Sequence, residues 1–330
     1  MQNRRNFLKQ ASLMLAGGLV APQLLTSCGG GNGSAAGAAT EAAKKHIGLQ
    51  LYSLRDDIND LGIQKVLEIV SKMGYVNIET AGYSDDGKIY DVEPGEFKKM
   101  CADLGMRCTS AHLSHFMSDD MQADLSWWNK AIEAHKKAGM KYMVMPVSPI
   151  NEKASLDLLK KYFGDYFYQI GLAAAGAGIK FGYHNHDYEF KQIEGQTIYD
   201  LMLENSSPDH VMFEMDVYWV MRGGQNPVDY LKKYPNRFPI LHIKDEKAIG
   251  ASGTMDFKSI FDQAYANGVK DWYVEVERYD GTPQEDVQKS YDFLNSADYV
   301  KYSIPYEYTE SHSFCDGWLF FLPNFPSYLF

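Results

Sequence analysis

Short apolar runs alternate along the chain with longer segments whose apolar residues recur at helical spacing. Five of these longer segments end at a glycine, after which an apolar run begins within a few residues: Gly74, Gly105, Gly139, Gly178 and Gly268. Glycine is the residue that most often ends a helix, because it adopts the left-handed conformation without strain. The pattern therefore predicts helices that end at glycine and lead into buried strands.

This alternation predicts eight strands and eight helices. The strands are predicted at 47–53, 75–80, 107–113, 141–147, 179–184, 211–217, 239–244 and 272–277. The helices are predicted near 62–73, 95–104, 121–138, 153–177, 197–205, 227–234, 256–267 and 283–296. Such a repeat over residues 46–300 predicts a single-domain α/β fold, the closed (β/α)₈ TIM barrel. An open doubly wound sheet is the alternative, but "LYSLRDD" rather than a glycine-rich phosphate loop follows the first strand.

The two ends of the chain do not follow the repeat. Arg4 and Arg5 precede the apolar stretch "ASLMLAGGLVAPQLL", and the motif "LTSC" ends at Cys28. These features predict an export signal over residues 1–28, resembling the twin-arginine route, and a flexible linker over 29–45. "LTSC" resembles a bacterial lipobox, so we expect an exported, periplasmic lipoprotein that is anchored through Cys28. Residues 301–330 are aromatic without a helical period, and we assign this tail no function.

Composition narrows the choice of partners. The chain has 330 residues, of which 45% are hydrophobic, and a net charge of −11. It is long enough for one large core, and without a basic stripe it is a poor candidate for binding nucleic acid. Cys101, Cys108 and Cys315 form no closely spaced pair. We expect them to be buried as small apolar residues, although the fold could bring Cys101 and Cys108 together.

Polar residues occur where the predicted strands end, which is where a barrel of this kind builds its active site. An inward-facing set comes from the last four strands: His184, Asp216, His242 and Glu275. Nitrogen and oxygen donors that converge on one point suit a divalent cation such as Mn²⁺, Co²⁺, Fe²⁺ or Zn²⁺. Taken singly, each residue has a simpler explanation, since a histidine can hydrogen-bond and an aspartate can cap the next helix. Together they predict a metal site.

Several strand ends resemble those of a known family. The pieces "IGLQLYSLRDD", "GYHNHDYEF", "MDVYWV", "LHIKDEK" and "YVEVE" resemble the sugar phosphate isomerase/epimerase family, the xylose isomerase-like barrels, over residues 46–300. The resemblance implies a divalent metal near Asp216, His242 and Glu275. It also implies that the substrate pocket is lined by Glu79, His112, Trp219 and Lys244.

The fifth strand departs from the family pattern. Typical epimerases carry a metal-binding glutamate there, paired with the strand-eight glutamate, whereas this chain has His184 and His186, with Glu189 farther on. The alternation of a strand puts His184 and His186 on one face and Asn185 on the other. This histidine-bearing branch also resembles enzymes that act on 3-keto sugars, including lyases that eliminate the anomeric substituent.

The implied chemistry is proton abstraction beside a ketone, with the metal as Lewis acid. We assign acid–base roles to His186 and Glu275 and charge stabilisation to Lys244. Tyr52, Glu277, Trp219 and Trp272 are candidates for contacts with the sugar, the aromatic rings by stacking.

Reprotonation would give an isomer or epimer, and this is the predicted function. The alternative is a 3-keto-glycoside lyase, which expels a group from the next carbon. An endonuclease-like phosphodiesterase and a non-catalytic sugar-binding barrel are further alternatives, and the acidic charge disfavours the first of these. Because the chain carries an export signal and no phosphate-binding loop, the expected substrate is an unphosphorylated keto sugar or glycoside.

Overall fold

Eight parallel strands close into a barrel. The computed structural model describes residues 45–302. The barrel strands, numbered in chain order, are β1 Gly48–Gln50, β2 Asn77–Thr80, β3 Arg107–His112, β4 Tyr142–Met145, β5 Lys180–His184, β6 Val211–Asp216, β7 Ile240–Lys244 and β8 Asp271–Glu275. Each strand pairs in parallel with the next, and β8 pairs with β1. The predicted closed barrel is confirmed and the open sheet is excluded.

Helices follow the strands around the barrel. Their bounds are Arg55–Leu61, Ile63–Met73, Pro94–Asp103, Met121–Ala138, Leu156–Leu159, Phe167–Gly176, Ile198–Glu204, Val217–Arg222, Pro227–Lys233, Phe257–Ala266 and Pro283–Ser296. A π-helical segment, Lys160–Tyr166, joins the fifth and sixth of these helices. All five glycines that were predicted to follow helices have positive φ, as the left-handed conformation requires. A small antiparallel hairpin, Gln192–Ile193 with Gln196–Thr197, follows β5.

Five of the strands end earlier than predicted, and at two of them a side chain explains the difference. Gln50 Oε1 accepts the backbone N–H of Tyr52 at 3.0 Å, which turns the chain after β1 into the 3₁₀ helix Leu51–Leu54. Asp216 Oδ1 accepts the backbone N–H of Trp219 at 2.8 Å and so caps the helix Val217–Arg222. Capping carboxylates of this kind satisfy backbone donors that a helix leaves free at its start.

An apolar cluster crosses the barrel interior below the polar strand ends. This inner cluster separates the floor of the barrel from the strand ends: Tyr142, Val144, Met212, Ile240 and Tyr273. Gly182 is required at this level, because a Cβ on it would lie 2.3 Å from the Met212 carbonyl oxygen. A larger core lies between the strands and the helices, where Cys101 and Cys108 are buried and unpaired, as predicted. Polar side chains fill the interior at the carboxyl ends of the strands.

The described chain begins and ends close to the last helix. The ammonium of Lys45 donates to the carbonyl oxygens of Asn295 and Ala297 at 2.7 and 2.5 Å, at the carboxyl end of Pro283–Ser296. Within residues 45–302, none of the helices is long and apolar enough to cross a membrane. The predicted export signal with Cys28, the linker up to residue 44 and the tail from residue 303 with Cys315 lie outside the described residues.

Candidate metal centre and active site

Four buried side chains converge at the carboxyl ends of β5 to β8. His184, Asp216 and Glu275 are the last residues of β5, β6 and β8, and His242 lies inside β7. One donor atom from each of the four lies within 4.8 Å of every other. The strand register accounts for this arrangement, since Asp216 lies opposite His242 and Lys244 lies opposite Glu275. The set that the sequence indicated is therefore brought to one point.

The spacing of these donor atoms matches that of ligands around one ion. His184 Nε2 lies 3.5 Å from Asp216 Oδ2, and His242 Nδ1 lies 3.4 Å from Glu275 Oε2 and 3.9 Å from Asp216 Oδ2. Tetrahedral ligands at bond lengths of about 2.0–2.2 Å are about 3.3–3.6 Å apart. Three of these atoms, His184 Nε2, Asp216 Oδ2 and His242 Nδ1, have no hydrogen-bond partner among residues 45–302. Buried polar atoms without partners are costly, so the residues fit a divalent cation. We refer to these four residues as the metal cage.

A second cluster lies around the other nitrogen of His242. Glu79 Oε2 is 2.5 Å from His242 Nε2, and Glu214 Oε2 is 2.6 Å from His112 Nε2. These separations are those of short hydrogen bonds rather than of two ligands on one ion. The network formed by Glu79, His112, Glu214 and the Nε2 side of His242 therefore holds the imidazole with Nδ1 turned towards the metal cage. Hydrogen-bonded partners of this kind orient metal-binding histidines in many proteins.

The carboxylate of Glu79 is enclosed by hydrogen-bond donors. Its side chain is fully buried, and it also accepts hydrogen bonds from Gln50 Nε2 at 2.8 Å and Ser110 Oγ at 2.6 Å. His112 is 8% exposed and bonds Glu214. Glu214 was not singled out from the sequence, although it lies two residues before Asp216 on β6 and so shares its strand face. The two-residue spacing on β6 was the signal that could have identified it.

Burial and neighbouring charges shift the pKa values of the groups at this end of the barrel. Burial raises the pKa of Asp216 to about 8, and burial together with Glu79 raises the pKa of Glu214 to about 7. Burial would lower the pKa of His242, but the charges of Glu214, Glu79 and Glu275 outweigh it and raise that pKa well above its usual value. The pKa of buried His184 is lowered well below its usual value, first by burial. A cation among these groups would offset the excess of carboxylates.

Lys244 is held by two glutamates beside the metal cage. Its ammonium lies 3.2 Å from Glu275 Oε2 and 2.8 Å from Glu277 Oε2. Burial lowers the pKa of Lys244, but Glu275 and Glu277 outweigh this effect and raise it, so the side chain is charged. The same ammonium lies 5.7 Å from the centre of the Trp219 ring, close enough for a cation–π contact.

His186 follows β5 and lies at the edge of the metal cage. The centroid of its imidazole is 5.0 Å from that of His184 and 5.8 Å from that of Trp219, and its ring stacks on Tyr188 at 5.5 Å and 11°. Its Nδ1 has no hydrogen-bond partner within the described part of the chain. Burial lowers the pKa of His186, which favours the neutral form that accepts a proton.

Comparison with known proteins gives the family. Residues 67–297 match the sequence model of the xylose isomerase-like TIM barrel. The chain belongs to this family. A sugar phosphate isomerase/epimerase from Parabacteroides distasonis is 36% identical with a TM-score of 0.73, and the match covers 80% of this chain and 100% of that one.

Two more distant relatives have names that describe their reactions. An inosose dehydratase from Clostridium beijerinckii is 23% identical over 264 residues, which are 68% of this chain and 86% of the relative. A 3-keto-D-glucoside 4-epimerase from E. coli is 19% identical with a TM-score of 0.58, over 77% of this chain and 100% of that one. At this identity the second likeness concerns the fold alone.

Two of the aromatic residues considered for stacking on a sugar have different surroundings in this xylose isomerase-like barrel. Tyr52 follows β1 at the mouth of the barrel, is 43% exposed and contacts the guanidinium of Arg55 at 4.6 Å. Trp272 was a candidate either for stacking on a sugar or for the core, and it lies in the core. Its side chain is 4% exposed and packs edge-on against Phe261 at 5.0 Å, because its position on β8 directs it towards the helices.

Proposed function

We propose that this xylose isomerase-like barrel is a divalent-metal-dependent enzyme that removes a proton beside the carbonyl group of an unphosphorylated keto sugar or glycoside. The observation that carries the proposal is the juxtaposition of three unpartnered cage donors with the imidazole of His186 and the charged Lys244. A metal cage, a neutral base and a cation are the groups that enolisation of a ketone requires.

The proposed ligands are His184, Asp216, His242 and Glu275. Two imidazoles and two carboxylates suit Mn²⁺, Co²⁺, Fe²⁺ or Zn²⁺ better than Ca²⁺ or Mg²⁺, which prefer oxygen ligands alone. A bound ion supplies Lewis-acid polarisation of the carbonyl group and stabilises the negative charge that develops on its oxygen. In this proposal Glu79 orients His242 through the 2.5 Å contact with Nε2.

The remaining residues act on the substrate directly. His186 takes the proton at its unpartnered Nδ1, because burial favours its neutral form. Lys244 places its positive charge beside the developing enediolate, and Glu277 keeps the ammonium in place at 2.8 Å. The ring of Trp219 lies beside both groups and gives an apolar wall on which one face of a sugar ring can pack.

Return of the proton to the other carbon or the other face gives an isomer or an epimer, and we take this as the main reaction. Elimination is the second candidate. In that reaction the proton beside the ketone is lost, the C–O bond of the neighbouring carbon breaks, and the leaving group takes the bonding electrons. A histidine in place of the usual strand-five glutamate favours this candidate, because the pair of glutamates used for epimerisation is incomplete.

The charged groups around the metal cage favour an unphosphorylated substrate. Lys244 lies beside the metal cage, and two carboxylates, those of Glu275 and Glu277, already contact its ammonium. Burial would raise the pKa values of Glu79 and Glu275, but neighbouring basic side chains outweigh it and lower them, so these two carboxylates add negative charge to the same end of the barrel. A phosphate group would be repelled there unless other cations held it. The same charges and the net charge of −11 disfavour nucleic acid as a substrate.

The proposal is tested by incubating metal-loaded protein with 3-keto-glucosides and with free ketoses in D₂O, followed by NMR. Deuterium at the carbon beside the ketone without loss of a group indicates isomerisation or epimerisation. Release of the aglycone together with an unsaturated or hydrated keto sugar indicates the lyase. If neither substrate class exchanges deuterium with folded, metal-loaded protein, the barrel binds sugars without catalysis or acts on another substrate, and the proposal fails.

We also propose that the protein is exported and anchored through a lipid on Cys28. The support comes from the twin arginine and from "LTSC", which both lie outside the described residues. The full-length protein should then fractionate with membranes, and Cys28→Ala should release it. A mature N-terminus well downstream of Cys28 would contradict the lipid anchor.

A further inference from the structure

The turn after β5 contains a buried carboxylate that none of the roles above uses. Glu189 lies in the 3₁₀ helix Tyr188–Phe190, and its side chain is fully buried. Burying a carboxylate is costly unless hydrogen bonds compensate for the lost water. Its hydrogen bonds therefore indicate what this residue does.

Each oxygen of Glu189 bonds a different part of the chain. Oε1 accepts the hydroxyl of Tyr183 at 2.5 Å, and Oε2 accepts the backbone N–H of His186 at 2.8 Å. Tyr183 belongs to β5, and its ring packs in the core against Phe163 at 5.3 Å. The carboxylate thus ties the backbone of His186 to a side chain that the barrel wall holds rigidly.

The same turn also orients the imidazole of His186. Tyr188, the residue before Glu189, stacks its ring on that imidazole at 5.5 Å and 11°. The centroid of the Trp219 ring lies 5.8 Å from that of the same imidazole. Because Glu189 fixes both the turn and the backbone N–H of His186, a shift of this carboxylate would move the imidazole relative to the metal cage.

We propose that Glu189 is a positioning residue that holds the imidazole of His186 in the place required for proton transfer. The catalytic part of this inference rests on the proposed function, whereas the position of the imidazole can be measured without substrate. Both oxygens of Glu189 are engaged by Tyr183 and His186. The residue therefore serves the turn and does not take the place of the strand-five glutamate that binds metal in typical epimerases.

The test compares Glu189→Ala and Glu189→Gln with Glu194→Gln, a control that changes an exposed carboxylate five residues farther along the chain. The first measurement is ¹H–¹⁵N NMR of the histidine side chains in Zn²⁺-loaded protein, with the His186 signals assigned by their loss in His186→Ala. In Glu189→Ala the His186 signals should shift and broaden while those of His184 and His242 stay in place. Glu189→Gln should restore them, because an amide can accept from the His186 N–H and donate to the Tyr183 hydroxyl.

The second measurement is turnover. Glu189→Ala should lower kcat about 10²-fold with metal content and KM little changed, since a misplaced catalytic group costs rate rather than binding. Glu189→Gln should recover most of the activity. If wild-type protein turns over no keto sugar but the His186 signals still move, the proposed function fails and the positioning role stands.

The inference is overturned if Glu189→Ala leaves the His186 signals unchanged, or if it disturbs His184, His242 and metal content to the same extent. The second result would show that the carboxylate supports the fold in general. Should Glu189→Ala fail to fold, Tyr183→Phe takes its place, because it removes the anchor in β5 and keeps the bond to the His186 N–H. His186 signals that match those of the Glu194→Gln control in that variant would equally overturn the inference.

Discussion

The metal cage and the hydrogen-bonded network beneath it contain the same kinds of side chain and share His242, yet they differ in spacing. In the cage the three ion-pair distances between donor atoms are 3.4, 3.5 and 3.9 Å, and three donors have no hydrogen-bond partner among the described residues. In the network the two closest contacts are 2.5 and 2.6 Å. Two groups that share a proton approach closely, whereas two groups that share a cation are held apart by it.

The difference shows that composition alone does not identify a metal site. Both clusters bring four donors within 4.8 Å, and both combine carboxylates with imidazoles. The shortest distances separate them, and three of the cage donors have no hydrogen-bond partner among the described residues, whereas in the network only Glu214 Oε1 has none. His242 connects the two, since one ring nitrogen faces the cage and the other faces Glu79. Variants that change one cluster and leave the other intact therefore test the distinction.

The largest effect is expected from Asp216→Asn, which breaks the cage and leaves the network in place. Asparagine can still cap Val217–Arg222 but removes the negative ligand, so the protein should fold and lose its metal. Activity should fall about 10³-fold or more, because the Lewis acid is lost. Metal analysis and circular dichroism check this, with Glu246→Gln as the exposed control. Retention of both metal and activity would show that the ion binds elsewhere.

His186→Ala tests whether the cage alone accounts for catalysis. The metal should remain, because the four proposed ligands are untouched. Loss of a histidine base should lower kcat by about 10²- to 10⁴-fold. The measurement pairs kcat with metal content in the same preparation. Lost metal would make His186 the strand-five ligand in place of His184, and full activity would end its proposed role as base.

Glu79→Gln weakens the network without touching the cage. The amide no longer provides a carboxylate for the Nε2–H of His242, so metal affinity should fall by about 10- to 100-fold. At saturating metal, kcat should recover most of its wild-type value. Competition with a chelator gives the affinity. If Glu79 contacts substrate instead, as the family resemblance implies, KM should rise and metal affinity should be unchanged.

The smallest effect on activity is expected from Glu189→Gln, which changes a buried carboxylate that belongs to neither cluster. Burial raises its pKa to about 7 from the ordinary 4.5. The folded state therefore holds this proton more tightly than the unfolded state, so Glu189 costs stability increasingly as pH rises from 4.5 to about 7. Glu189→Gln cannot ionise, so its free energy of unfolding relative to wild type should increase over this range by about 2–3 kcal/mol.

Denaturation in urea at about pH 5 and about pH 8 measures this difference, and both proteins should be free of metal so that the cage does not contribute. A relative stability that is constant with pH would show that Glu189 keeps an ordinary pKa. The result extends the comparison between the cage and the network. It gives the loss in free energy of unfolding for a buried carboxylate that is hydrogen-bonded by Tyr183 and His186 and has no cation beside it.

The sequence was sufficient for the barrel and for the convergence of four donors. Apolar runs, helical spacing and five helix-ending glycines are local features, and each predicts its element without knowledge of the rest of the fold. Once the elements form a barrel, residues at the strand ends must meet at one face. His184, Asp216, His242 and Glu275 follow from this rule because each ends or nearly ends a strand.

Only the tertiary structure decided which of the side chains at the strand ends hydrogen-bond to one another. Glu79 on β2 meets His242 on β7, 163 residues away and across the barrel, and His112 on β3 meets Glu214 on β6. The alternation along a strand fixes which face a side chain takes, but not its height in the barrel or its partner on a strand that is not adjacent. Those depend on how the strands are staggered when the barrel closes. For that reason the sequence left the partners of Glu79 and Trp272 open, whereas the structure buries the first against His242 and the second against Phe261.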